Sequence, residues 1–181
     1  MPNKIVINAN EFLEAANRCD FQESIKNKKY PLLVPEFVNT AFACELYMKA
    51  IAKFQGIEEM KKHKLDELFK MLSLEAKEAI YDLWRVSNGN YISACDYARQ
   101  MFSNNLEAIT NVFVRFRYAH EWSESTISLE HSFTVEQFIK FSPMSASRPL
   151  GSPPVYSGFL KQFALSLKIY AEKLIGRQYN S

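Results

Sequence analysis

The chain has 181 residues, 48% apolar and 14% aromatic, and a formal net charge of +2. This describes a single folded domain with room for a core and excludes a disordered chain. Only five glycines exclude a turn-rich sheet protein, and the near-neutral charge leaves space for a local basic site but not for a strongly basic surface.

In chain order, Asn10 reads as the cap of a first helix that has Glu11 and Glu14 in its first turn and runs to about Asn27. Lys28-Lys29-Tyr30-Pro31 breaks it. Pro35 then opens a second helix that runs to Phe54 and stops at Gly56. Apolar residues surround nearly the whole circumference of this helix, and Glu45, Lys49 and Lys53 form one narrow polar stripe at four-residue spacing. Such a helix belongs in the middle of a bundle, covered by others. Leu65 to Leu72 predicts a short helix opened at His63, with Leu65, Leu68, Phe69 and Leu72 on one face. Ser73 starts another that ends near Ser87-Asn88-Gly89-Asn90. Tyr91 to Phe102 and Leu106 to about Glu121 follow, as two helices or as one long helix bent near Ser103-Asn104-Asn105. Thr134 to Phe141 reads as a short helix. Four prolines and five serines in the 17 residues from Ser142 to Gly158 predict a loop. The last helix, about Gly158 to Gln178, places Phe159, Phe163, Leu167, Tyr170 and Leu174 along one stripe.

The fold class expected is therefore an all-α bundle around a buried central helix at about 35–55. The N-terminal run Met1 to Asn8 has neither a long apolar stretch nor a small-residue cleavage site. No segment reaches the roughly 18 uninterrupted apolar residues of a membrane span. Cys19, Cys44 and Cys95 form no CxxC pair, and their odd number argues against a disulfide framework. The expected setting is the cytoplasm, with no membrane partner. His63, His120 and His131 show no HExxH spacing and join no acidic cluster, so neither a metal nor another cofactor is expected.

The segment Phe113-Val114-Arg115-Phe116-Arg117-Tyr118-Ala119-His120-Glu121-Trp122 is where the chain departs from a generic bundle. Arg115 and His120, with four residues between them, resemble the Arg-x(4–6)-His signature of HEPN domains. Ala43-Cys44-Glu45-Leu46-Tyr47-Met48-Lys49, in the second helix, is similar to the AxExxxK pattern of that family's central helix. His63-Lys64-Leu65-Asp66-Glu67-Leu68 resembles the short HxLxxL helix that follows it. The three segments stand in family order and cover roughly residues 35 to 122.

The resemblance implies a metal-independent endoribonuclease, acting as a toxin or in antiphage defence by abortive infection. It implies a homodimer whose two motifs line one interfacial cleft, with RNA as substrate and a nucleotidyltransferase as candidate antitoxin. Arg115 and His120 would be catalytic; Arg117, Tyr118, Glu121 and Glu45 would support the site or bind RNA. The residue types suit the chemistry. Attack of a 2′-hydroxyl on the adjacent phosphodiester needs a group that exchanges protons near neutral pH, and imidazole does so. It also needs a fixed positive charge beside the phosphorane, and a guanidinium fork matches phosphate oxygens. Five residues at about 100° each put Arg115 and His120 roughly 140° apart on an ideal helix. Their cooperation requires the helix to end or bend near Tyr118, or a contribution from a second subunit.

A non-catalytic reading stands beside this one. HEPN domains also serve as dimerisation or nucleotide-binding partners, and Phe116 follows the arginine where many active members carry a polar residue. A third reading has a regulator binding protein through segment 142–158. Glu45, set in an apolar helix, needs an inward-facing cation; if that cation is Arg115 or Arg117, Glu45 supports the site. His63 reads simply as the opening residue of its helix.

Overall fold

The computed structural model describes residues 2–19, 33–57, 60–87, 96–117 and 155–179. Six helices account for most of them: α1 (Pro2–Arg18), α2 (Leu33–Phe54), α3 (Leu65–Met71), α4 (Leu74–Ser87), α5 (Asp96–Arg117) and α6 (Val155–Tyr179). The all-α class is thus as expected. No described helix is long and apolar enough to cross a membrane.

The second helix takes the central place that its all-round hydrophobicity demands. Ala41, Ala43, Cys44, Tyr47, Met48, Ala50, Ile51 and Ala52 are all fully buried, and α2 packs against α1, α3, α5 and α6. It begins at Leu33, two residues before the expected start, with Pro35 in its first turn. Helical N–H groups in that turn have no partner in the helix, so a proline there sacrifices nothing. At the other end Gly56 adopts φ +77°. Its N–H donates to Lys53 C=O at 3.2 Å, and the Ile57 N–H donates to Ala52 C=O at 3.0 Å. This pair of bonds closes the helix in a Schellman cap and satisfies two otherwise orphaned carbonyls.

The first helix differs from expectation. It starts at Pro2 instead of Asn10 and ends at Arg18; residues 20–27 lie outside the described residues. Val6, Ala9, Leu13 and Ala16 form its buried stripe, which straddles Asn10. That side chain does not cap the helix: its carbonyl oxygen accepts the Tyr47 hydroxyl of α2. A tertiary bond has taken the polar group that local reasoning assigned to a helix end.

Ser73 caps α4 as predicted, its Oγ accepting the Ala76 N–H at 3.2 Å. Of the two readings of this region, two helices or one, the single helix holds: α5 runs unbroken through Ser103-Asn104-Asn105. Ser103 and Asn104 lie on its exposed side, while Phe102, Leu106 and Ile109 continue the buried stripe past them. The period-3.6 apolar pattern outweighs three polar residues that face solvent or the rim. The last helix begins at Val155, so four residues of the expected loop belong to it; residues 142–154 and the short helix expected at 134–141 lie outside the described residues.

Phe102 is the hub that fixes α5. Its ring lies 5.3 Å from Phe69 of α3, 5.1 Å from Trp84 of α4 and 5.5 Å from Phe159 of α6, centroid to centroid. The latter two contacts are edge-to-face, the arrangement that ring quadrupoles favour. Outside this cluster Arg99 grips Glu78 through both guanidinium nitrogens, at 2.8 and 2.6 Å, and covers the Tyr81 ring at 4.7 Å. These contacts fix the N-terminal half of α5 against α3, α4 and α6.

Candidate functional site at the junction of α2, α3 and α5

Glu45 lies on the central helix with only 4% of its surface exposed. Burying a carboxylate is unfavourable unless it is paired and hydrogen-bonded. Lys49, one turn on, supplies an ammonium at 2.8 Å. His63, from the segment preceding α3, places Nδ1 2.9 Å from the same carboxylate oxygen, Oε1. The partners described at Glu45 are thus a lysine of its own helix and a histidine 18 residues away. His63 does more than open a helix, as the sequence reading had it. The N-cap of α3 is Lys64, and His63 stands one residue earlier with its side chain half exposed.

Lys64 has extended backbone angles and makes no side-chain cap. The missing cap comes from another helix. Thr110 of α5, 2% exposed, accepts the Asp66 N–H at 3.1 Å and donates its own hydroxyl to Leu106 C=O at 2.8 Å. A threonine in helix interior is commonly neutral to unfavourable; here its hydroxyl joins two helices. Lys62 and Lys64, which flank His63, both reach Glu67, at 2.9 and 3.4 Å. The hydrogen bond from Lys62 is the main cause that holds the Glu67 carboxyl below its ordinary range. The start of α3 is therefore fastened from two sides, to Glu45 of α2 through His63 and to Thr110 of α5 through Asp66.

Neither protein-family models nor curated proteins nor solved structures gave a match to this chain.

Of the residues singled out in the sequence, Glu45 is placed in full. Arg115 and Arg117 lie in the last turns of α5, and their side chains fall outside the described residues. Tyr118, His120 and Glu121 lie outside the described residues altogether. Among the described residues no group of three His, Cys, Asp or Glu side chains could hold a metal ion. Cys44 is fully buried, and burial pushes its thiol far above the ordinary value. It has none of the thiolate character a nucleophile needs.

Sequence reasoning missed two residues of this junction, His63 and Thr110. A signal for the first was available: a carboxylate on an apolar helix demands a partner, and the next histidine along the chain is His63. Thr110 gave no signal, because its role depends on which helix lies beside it.

Proposed function

We propose that this chain is a metal-independent endoribonuclease of the HEPN type, working as a homodimer in a toxin or antiphage-defence role. One observation carries the reading. Two of the segments that resemble the family are distant in sequence but meet in space, Glu45 of the first holding His63 of the second, and Asp66 of the second is capped by Thr110 of the helix that leads towards the third. Generic helix packing does not require a buried carboxylate and a cross-helix cap at one joint.

In this reading Arg115 clamps the scissile phosphate through its planar fork, and His120 exchanges a proton with the 2′-hydroxyl or the leaving oxygen. Arg117, Tyr118 and Glu121 flank the bound strand. The products are a 2′,3′-cyclic phosphate and a free 5′-hydroxyl, and no metal takes part.

The test is to incubate the purified chain with RNA in excess chelator, beside His120→Ala and Arg115→Ala variants, and to identify the product ends. Cleavage to a 2′,3′-cyclic phosphate, lost by at least 100-fold in each variant, is the expected result. Unchanged cleavage by His120→Ala overturns the site assignment. A wild-type chain that does not cut overturns the nuclease reading and leaves a helical binding module, the role that Phe116 after the arginine favours.

A further inference from the structure

We infer that this chain pairs with a second copy of itself through the outer face of α6, the two helices running antiparallel about a two-fold axis at the level of Tyr170. The pairing gives a face to the homodimer proposed above, rests on that reading in this respect alone, and does not depend on cleavage. Among the described residues, Leu165 and Ile169 are the only exposed large apolar side chains that stand one turn apart on one helix, at 46% and 47% exposure. Single apolar residues on a surface are ordinary; an adjacent pair on a helix that already has a buried face is an unpartnered seam.

The face is a straight row. With Phe159, Phe163, Leu167 and Tyr170 buried, α6 packs one side against the bundle. On the opposite side Leu165, Ile169, Glu172 and Gly176 follow one another at steps of four, three and four residues, and all four are exposed. At about 100° per residue they lie within roughly 60° of each other along the helix. Lys168 borders the row, its ammonium 2.7 Å from the Glu172 carboxylate.

Charge selects the occupant and its direction. Two such rows packed in parallel would bring like residues together, with Glu172 against Glu172. In antiparallel packing about an axis at Tyr170, residues equally far before and after that level oppose each other. Lys168 stands two residues before it and Glu172 two after, so each carboxylate receives the partner's ammonium as well as its own. The two Ile169 side chains come within about 3 Å of one level and meet across the axis.

The same register explains Gly176. Its φ is not positive, and a Cβ there would meet nothing within 4 Å, so the chain's own fold gives no reason for a glycine. Glycine within a helix weakens it relative to alanine. Leu165, five residues before the axis, comes opposite position 175 of the partner, beside the partner's Gly176. A bare backbone at that point lets the facing helix approach and leaves room for the leucine.

The experiment is sedimentation equilibrium on the purified full chain, with thermal melts to establish that each variant is folded. Wild type is expected to dimerise, and Ile169→Glu to raise the dimer dissociation constant by roughly 10-fold or more. Lys168→Glu sets carboxylates against each other across the seam, and Glu172→Lys sets ammoniums; each alone should weaken the dimer by about 10-fold. An equimolar mixture of these two variants should associate about as tightly as wild type, since the mixed pair restores opposite charges at both contacts. The Lys168–Glu172 pair within one chain is lost in both variants, and mixing cannot restore it. Wild-type dimerisation by Ile169→Glu, or a mixture no tighter than either variant alone, overturns the α6 seam and leaves the homodimer to another face. A wild-type chain that is monomeric at every concentration overturns the pairing and the homodimer together, while RNA cleavage in chelator still decides the nuclease reading.

Discussion

Replacing Thr110 by Val tests the joint between α3 and α5. Valine keeps the shape of threonine and removes only the hydroxyl that accepts the Asp66 N–H. The Leu106 carbonyl loses a second donor but keeps its helical partner, so its loss is minor. The Asp66 N–H has no replacement acceptor within its own helix, because the first-turn donors never do. A buried donor left unsatisfied costs about 1–3 kcal/mol, and the partial burial of Asp66 puts the expected loss in the lower half of that range. For a chain of this length a loss of about 1–2 kcal/mol lowers Tm by roughly 2–8 °C. Thermal melting gives the first measure, and amide hydrogen exchange gives the specific one. The Asp66 amide should exchange roughly 5–30 times faster in Thr110→Val. Thr110→Ser keeps the hydroxyl, loses one methyl group at about 0.8 kcal/mol, and should preserve Asp66 protection. Equal Asp66 protection in wild type and Thr110→Val would refute the cross-helix cap, whatever the melting temperatures.

Gly56→Ala should destabilise by about 1 kcal/mol, since φ +77° is unfavourable for any residue with a Cβ. No atom lies within 4 Å of the added methyl group, so the penalty is conformational alone, and a denaturant midpoint equal to wild type would contradict the Schellman cap. Cys44 should resist alkylation in the native protein even at pH 9, because burial raises its thiol pKa and blocks the reagent. Cys19, partly exposed, should label readily; peptide mass spectrometry distinguishes the two, and rapid native labelling of Cys44 would contradict its place in the core.

What was legible in the sequence follows from which interactions are local. The central helix could be read because apolar residues all round a helix have one physical meaning. Ser73 and Gly56 could be read because a cap and a left-handed stop are made within a few residues. The start of α1 could not, since Asn10 has two uses and the choice between them is made by Tyr47, 37 residues away. The continuity of α5 was obscured by Ser103-Asn104-Asn105, whose polarity signals a loop unless the helix presents it outward. The joint at Glu45 was half legible for the same reason. Glu45 announced itself as an anomaly in its own helix and Lys49 stood one turn on, while the place of Thr110 depended on which helix lies beside it.

That anomaly is hard to explain by stability. Replacing a buried ion pair by apolar side chains of similar volume is commonly neutral, or stabilising by about 1–4 kcal/mol. A chain that needed α2 only as the middle of a bundle would do at least as well with Leu or Met at position 45. Lys49 alone would neutralise the carboxylate within the helix, at no demand on the rest of the fold. The carboxylate instead also receives His63 from another segment, and that segment is fixed in turn by a threonine on the helix bearing Arg115. Each of these three choices breaks a local preference: a charge in an apolar helix, a helix start without its own cap, a threonine in mid-helix. Glu36 on the same helix is as deeply buried and pairs with Lys161, but the joint at Glu45 combines all three departures at one place. The joint of α2, α3 and α5 holds the His63 imidazole against a buried carboxylate and ties α3 to α5, which the packing of a core does not require.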